Sequence, residues 1–129
     1  MADEQSQKGR ILVVEDDKFL RDLLVNKLKD EGLEVGAVTD GKEAYEYLDK
    51  DLPDVIVLDL ILPDLNGFDI LERITKDART SGVPVIVLSN LDQKEDIDKA
   101  MSLGAVDFMI KANFSLTEIL ARIKKQLGK

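Results

Sequence analysis

Short, almost wholly apolar runs alternate along the chain with longer segments of mixed polarity. The runs at 11–14 (ILVV), 55–59 (VIVLD) and 83–88 (VPVIVL) show no alternation of polar and apolar residues. Strands of this kind are buried on both faces, as in a parallel sheet that helices cover. Two less apolar runs, at 33–38 and 105–110, complete a set of five predicted strands.

Apolar residues recur at helical spacing in the segments that separate these strands. Helices are predicted over 18–30, between a cap at Asp40 and a break at 51–53, over 67–77, over 92–103, and from Ser115 onwards. The predicted inner face of the first helix consists of four leucines: Leu20, Leu23, Leu24 and Leu28. Segment 92–103 has the thinnest apolar stripe, so its helix should be the least firmly held.

Five successive β–α units with short connections predict an α/β domain with one parallel sheet. The expected fold is doubly wound and flavodoxin-like, (βα)5, with strand order 2-1-3-4-5. Residues 1–9 are polar and predict a mobile tail, and residues 10–129 predict a single domain. The start of the chain lacks the apolar segment of a secretory signal, and no apolar run is long enough to span a bilayer. A cytoplasmic protein is the simplest interpretation.

The amino-acid composition excludes several kinds of functional site. The chain contains no cysteine and no histidine, which excludes disulfides, thiolate or imidazole metal sites, and histidine general bases. Its net charge of −8 argues against direct binding to nucleic acid or to an anionic membrane. The groups that remain for a functional site are carboxylates, hydroxyls, lysine and a hard metal ion.

Functional groups follow four of the predicted strands. Glu15 and Asp16 follow the first, Asp59 ends the third, Ser89 follows the fourth and Lys111 follows the fifth. In the order 2-1-3-4-5 the first and third strands are neighbours at the switch point, where open α/β sheets bind ligands. Three carboxylates placed together repel one another unless a cation joins them. Oxygen-only ligation favours Mg²⁺ or a similar hard ion.

Four motifs, in order, carry a resemblance to a known family: ILVVEDD at 11–17, LDLILPDLNG at 58–67, VPVIVLSN at 83–90 and GAVDFMIK at 104–111. From about Lys8 to its C-terminus, the chain resembles response-regulator receiver domains of the CheY-like superfamily, in their stand-alone, single-domain form. The resemblance implies that Asp59 accepts a phosphoryl group from a sensor histidine kinase or a histidine phosphotransfer protein. It also implies that Glu15, Asp16, Asp59 and the backbone carbonyl of Ile61 bind Mg²⁺.

The resemblance further implies roles for three other residues. Lys111 would pair with a phosphoryl oxygen, Ser89 would hydrogen-bond another, and the aromatic ring of Phe108 would swing inward as Ser89 moves. The face formed by the fourth helix, fifth strand and last helix would then bind a downstream protein, whose identity the sequence does not reveal. A dimer that forms on phosphorylation is a further expectation. Such a protein is a switch, catalytic only in its own phosphorylation and dephosphorylation. Unless the chain is an excised fragment, its output would pass through a partner protein.

Two residues depart from the family pattern. Ala112 replaces the usual proline after the lysine, and Asn90 is bulkier than the usual residue after the hydroxyl. The Lys–Pro bond of the family is commonly cis, and we expect Lys111–Ala112 to be cis as well. Ile61 and Leu91 lie two residues beyond Asp59 and Ser89, and both are aliphatic. They offer no polar group to hold an attacking water, so we expect slow autodephosphorylation.

Plainer interpretations exist for each residue. Asp59 could cap the turn after its strand, Ser89 could be the N-cap of the fourth helix, Lys111 could be an ordinary exposed lysine, and Phe108 a core aromatic. Asp17 is interpreted only as an acidic helix start. Two rival functions remain open: a receiver-like scaffold that is never phosphorylated, and an enzyme, either a flavodoxin-like cofactor binder or an aspartate-nucleophile phosphatase.

Overall fold

Five parallel strands form one sheet in the order β2-β1-β3-β4-β5. The structure is a computed structural model and describes residues 9–128. The strands are β1 (Arg10–Val14), β2 (Glu34–Val38), β3 (Val55–Leu58), β4 (Val85–Ser89) and β5 (Asp107–Ile110). The predicted doubly wound, flavodoxin-like fold and its strand order are confirmed.

Helices follow each strand. They are α1 (Lys18–Asp30), α2 (Gly41–Lys50), α3 (Gly67–Lys76), α4 (Lys94–Ser102) and α5 (Leu116–Gln126), and a short 3-10 turn, Lys111–Asn113, precedes α5. The predicted ends differ from these by at most two residues. The fourth strand begins at Val85 rather than Val83 because Pro84 has no N–H to donate to a ladder.

Alternate strand residues face opposite sides of the sheet, and each side has its own apolar core. On one side Leu12, Ile56 and Val87 pack with buried residues of α2, α3 and α4. On the other, Ile11 and Val57 pack with buried residues of α1 and α5. Because both faces of the central strands are covered, polar groups can meet only at the ends of the strands.

The helices differ in the number of residues that they bury against the sheet. In α3 the buried residues are Gly67, Ile70, Leu71 and Ile74, whereas α4 buries Ala100 alone and its N-cap, Gln93, makes no side-chain capping bond. The thin stripe predicted for α4 is therefore present.

The prediction for α1 was partly wrong. Leu24 and Leu28 are buried and Leu20 is half-buried, but Leu23 is 39% exposed. Residues four apart form the stripe that faces the sheet, and Leu23 lies beside that stripe.

Of the predicted tail, only Gly9 falls within the described residues. Gly9 is buried, and its carbonyl accepts a hydrogen bond from the Glu34 N–H at 3.0 Å. The prediction for residues 1–8 lies outside the described part of the chain. Among residues 9–128, no helix is both long enough and apolar enough to cross a membrane.

Candidate functional site

The carboxyl ends of β1 and β3 place two buried carboxylates side by side. Glu15 directly follows β1 and donates its N–H to Val38 at 3.0 Å, while Asp59 directly follows β3 and donates its N–H to Val14 at 3.0 Å. These bonds continue the parallel ladders past the strand ends and fix both backbones. Both residues are buried. Side chains placed this way are held by the sheet rather than by a mobile loop.

The predicted acidic cluster is present. One carboxylate oxygen from each of Glu15, Asp16 and Asp59 lies within 4.8 Å of the other two, and Asp16 is the exposed member. Three carboxylate oxygens with no nitrogen or sulphur ligand among them suit a hard cation such as Mg²⁺, which prefers oxygen ligands. The residues present therefore fit the predicted ion.

Lys111 enters the same site from the turn after β5. Its Nζ lies 2.8 Å from Glu15 Oε1 and 2.9 Å from Asp59 Oδ2, and its side chain is 16% exposed. Burial opposes the charge on this ammonium, but hydrogen bonds and attraction from the two carboxylates outweigh it, so the pKa of Lys111 is raised. The alternative of an ordinary exposed lysine is excluded.

Glu15 is the carboxylate most affected by burial. Desolvation raises its pKa to about 7, and repulsion from Asp59 adds to the effect. Hydrogen bonds from Lys111 and from the Asp17 N–H, which lies 3.1 Å from Oε2, act in the opposite direction. A cation bound beside Glu15 would favour its charged form.

The second oxygen of Asp59 contacts the loop that follows β3. Asp59 Oδ1 accepts the Ile61 N–H at 3.0 Å, so this aspartate also closes a local turn. The turn-capping interpretation therefore describes a real contact, but Lys111 and the acidic neighbours are contacts that capping alone does not require. The loop then returns through a bridge between Ile61 and Asn66 and a bond from Gly67 N–H to the Leu60 carbonyl at 3.1 Å.

Ser89 and Phe108 lie on the two strands beyond β3. Ser89 is the last residue of β4, is fully buried, and pairs in register with Ile110. Its Oγ accepts the Leu91 N–H at a long 3.4 Å. The N-cap of α4 is Gln93, so Ser89 does not cap that helix. Phe108 is half-buried against the core of α2, α3 and α4.

Comparison with known proteins identifies the family. The model for the response regulator receiver domain matches residues 11–124. The chain belongs to the response-regulator receiver family. It is 41% identical over 120 residues to the regulatory protein VanRc of Enterococcus gallinarum, an alignment that covers 92% of this chain and 49% of that protein.

Solved structures of receiver domains have the same fold as this chain. The receiver domain of the Francisella response regulator 1452 superposes with a TM-score of 0.86 at 30% identity, covering 94% of this chain and 98% of that one. A BeF3-activated DrrB receiver domain gives 0.84 at 30% identity, covering 95% and 99%. The chain spans about half the length of the curated relatives that it matches. It is thus a receiver domain of two-component response regulators.

The cis bond expected in this receiver domain is absent. Every peptide bond within residues 9–128 is trans, including Lys111–Ala112, so that prediction was wrong. A non-proline cis bond costs about 2.5–4 kcal/mol. Lys111 reaches both Glu15 and Asp59 through the trans bond, at the start of the 3-10 turn. A cis bond is therefore not needed to bring the lysine to the two carboxylates.

The two predicted shielding residues lie in different environments. Ile61 is 54% exposed, two residues from Asp59 on the loop whose N–H contacts that carboxylate. Leu91 is half-buried and packs against the core of α2, α3 and α4. Shielding by either residue stays a prediction.

One residue near the site was missed from the sequence. Asp64 lies in the same loop as Ile61, and its carboxylate accepts the N–H groups of Gly41 and Lys42 at 2.9 and 3.0 Å. These donors begin α2, so the contact joins two segments that lie far apart in sequence. The only signal was an acidic residue directly after Pro63, in a position that a turn alone explains.

Proposed function

We propose that this receiver domain accepts a phosphoryl group on Asp59 from a sensor histidine kinase or a histidine phosphotransfer protein. The observation that carries the proposal is the pairing of buried Asp59 with Lys111 Nζ at 2.9 Å, beside Glu15 and Asp16. Phosphoryl transfer depends on positioning and on charge neutralisation more than on acid–base chemistry. A chain without histidine or cysteine can supply both.

In the transfer, a carboxylate oxygen of Asp59 attacks phosphorus, an O–P bond forms, and the P–N bond to the donor histidine breaks. The electron pair of that bond passes to the imidazole nitrogen, which takes a proton. Lys111 moves from Asp59 Oδ2 to an oxygen of the arriving phosphoryl group, where it acts as a point charge. Glu15, Asp16, Asp59 and the Ile61 carbonyl would hold Mg²⁺, which would supply positive charge against the phosphoryl oxygens.

Ser89 and Phe108 connect this chemistry to the output surface. The Ser89 hydroxyl is weakly engaged at 3.4 Å, so it is available to a phosphoryl oxygen. Movement of the loop after Ser89 would draw Phe108 inward. The equilibrium between two conformations of the α4-β5-α5 face would then shift. That face would bind a downstream protein or a second copy of the chain. The domain is a switch that assists only its own modification, not an enzyme acting on other substrates.

Treatment with acetyl phosphate and Mg²⁺, followed by intact mass measurement, tests the proposal. One phosphoryl group should be added to the parent, and none to Asp59→Asn or to the parent in EDTA. Equal labelling of the parent and Asp59→Asn would place the modification elsewhere. No labelling of a folded parent would favour the unphosphorylated scaffold.

The switch can be measured separately by NMR. Addition of BeF3⁻ and Mg²⁺ should shift amide resonances of α4, β5 and α5, and Ser89→Ala should reduce those shifts. Shifts confined to the residues around Asp59 would contradict the switch while leaving phosphorylation intact.

A further inference from the structure

The carboxylate of Asp64 binds the start of a helix that is distant in sequence. Its Oδ1 accepts the Gly41 N–H at 2.9 Å, and its Oδ2 accepts the Lys42 N–H at 3.0 Å. Oδ1 also accepts the N–H of its neighbour Leu65 at 2.8 Å. Since the first N–H groups of a helix have no partner within the helix, Asp64 satisfies two groups that would otherwise require water.

Helix α2 already has an N-cap of its own. Asp40 Oδ1 accepts the Glu43 N–H at 2.8 Å, and Glu43 in turn accepts the Thr39 N–H at 2.7 Å. The local capping pattern is therefore complete without Asp64. A second acidic residue, delivered by another loop, is more than helix formation requires.

The loop that carries Asp64 also carries the backbone contact to Asp59. Its base is closed by the Ile61–Asn66 bridge and by the bond from Gly67 N–H to the Leu60 carbonyl. Between these ends Leu62 is half-buried against the core of α2, α3 and α4, whereas Ile61, Asp64 and Leu65, nearer the outer part of the loop or at its start, are exposed. The bonds of Asp64 to α2 are therefore a main restraint on its outer part.

The backbone of α2 at Gly41 packs closely against the side chains of Leu65 and Ile70. A Cβ added to Gly41 would lie 2.7 Å from Leu65 Cδ1 and 2.8 Å from Ile70 Cδ1, which is nearer than such contacts allow. The backbone of α2 thus approaches the loop closely enough for the two hydrogen bonds. The N–H of Gly41 also lowers the pKa of Asp64.

We propose that Asp64 is a positioning residue for phosphoryl transfer. By anchoring the loop to the first turn of α2, it keeps the Ile61 N–H on Asp59 Oδ1 and so fixes the orientation of the attacking carboxylate. Asp64 touches neither the phosphoryl group nor the acidic cluster, and acts only through the loop. The inference rests on the proposed role of Asp59 as phosphoacceptor.

Two variants of the same helix start separate positioning from simple capping. Asp64→Ala removes the loop's anchor, and Asp40→Ala removes an N-terminal acceptor of α2 while leaving the loop's bonds in place. Both are compared at a temperature where unfolding curves show each variant fully folded. The initial rate of phosphorylation is measured with acetyl phosphate at saturating Mg²⁺.

The rate should fall about five-fold or more in Asp64→Ala, since small misplacements of reacting groups are costly, and stay within about two-fold of the parent in Asp40→Ala. Asp64→Asn keeps an Oδ1 acceptor but loses Oδ2, and should give an intermediate rate. Equal rates in Asp64→Ala and Asp40→Ala would overturn the proposal. If Asp64→Ala does not fold, Asp64→Asn and Gly41→Ala take its place, the latter displacing Leu65 while every hydrogen-bonding group remains.

Hydrogen exchange of the Ile61 amide provides a readout that needs no phosphorylation. Exchange should be faster in Asp64→Ala than in Asp40→Ala, and an unchanged Ile61 amide would overturn the anchoring step. If the folded parent takes no phosphoryl group, the proposed function fails, while the exchange measurement still decides whether Asp64 orders the loop.

Discussion

Lys111 Nζ lies 2.9 Å from Asp59 Oδ2, although the two residues are 52 positions apart in sequence and their strands are not neighbours. Strand β4 lies between β3 and β5, so the lysine side chain crosses the end of β4, where Ser89 is buried. The same ammonium contacts Glu15. One cation thus joins the ends of β1 and β3 and separates two buried carboxylates that would otherwise repel each other.

Replacing Lys111 with methionine should destabilise the metal-free protein. The substitution keeps the length of the side chain but leaves Glu15 and Asp59 without their cation. The free energy of unfolding in EDTA should fall by about 1–3 kcal/mol, which is less than for a fully buried pair because Glu15 can take up a proton. Urea unfolding with EDTA and with Mg²⁺ measures the effect, and Mg²⁺ should stabilise the variant more than the parent. A loss no greater than in Lys125→Met, at an exposed position, would contradict this role of Lys111.

Stability of the metal-free protein should depend on the protonation of Glu15. Its pKa rises from 4.5 to about 7 in the folded state, so between these values the folded protein binds more protons than the unfolded chain. The free energy of unfolding should therefore decrease as the pH rises from about 4.5 to about 7 in EDTA. Urea unfolding across this range should show a flatter profile for Glu15→Gln, and identical profiles would refute the assignment. Saturating Mg²⁺ should weaken the trend because the ion favours the carboxylate.

The convergence of Glu15, Asp59 and Lys111 could be predicted because it follows from topology. Short, wholly apolar runs followed by turn residues are typical of central parallel strands. Parallel strands in one sheet end at the same edge, so the residue after each run lies at that edge. The thin apolar stripe of α4 could be predicted from periodicity, because the apolar residues at helical spacing are the ones that a helix buries.

Side-chain partners across long distances could not be predicted. Asp64 and Gly41 are 23 positions apart, and nothing in either segment specifies that a loop carboxylate reaches a helix start. The exposure of Leu23 depends on the rotation of α1 about its own axis, which four leucines at mixed spacing leave open. The cis expectation at Lys111–Ala112 came from the family pattern and assumed that the site's need for the lysine would outweigh the cost of a cis bond before alanine. The trans bond already brings the lysine to Glu15 and Asp59.

Gly67 should not tolerate a side chain. A Cβ at this position would lie 2.3 Å from the Leu60 Cα and 2.4 Å from its carbonyl oxygen, which are backbone atoms that cannot rotate away. Gly67→Ala should lower the free energy of unfolding by about 1–3 kcal/mol, as other overpacked sites do. Gly82→Ala is the matched control, since an added Cβ there has no neighbour within 4 Å. Equal unfolding midpoints in the two variants would show that the loop after β3 can yield.

Helix α4 should open at lower free energy than α3. It buries only Ala100, and beyond that Lys99 Nζ lies 4.4 Å from the centre of the Phe68 ring, a contact that ties α4 to α3. Native-state hydrogen exchange should give weaker protection for the α4 amides than for those of α3. Phe68→Leu, which removes the aromatic face but keeps an apolar side chain, should weaken protection in α4 further. Equal protection in the two helices would argue against α4 as the moving element.

The lifetime of the phosphorylated state should depend on Ile61 more than on Leu91. Ile61 lies on the loop that contacts Asp59 and is 54% exposed, so a polar side chain there could hold a water near the phosphoryl group. Leu91 packs against the core, and Leu91→Glu must leave that packing before it can act. Ile61→Asn should therefore shorten the half-life of the acyl phosphate several-fold, with a smaller effect in Leu91→Glu. Phosphoryl loss is followed by intact mass after removal of acetyl phosphate, with Ile61→Leu as the control that keeps an aliphatic group. If Ile61→Asn, Ile61→Leu and the parent lose the phosphoryl group at the same rate, the aliphatic side chain does not shield it.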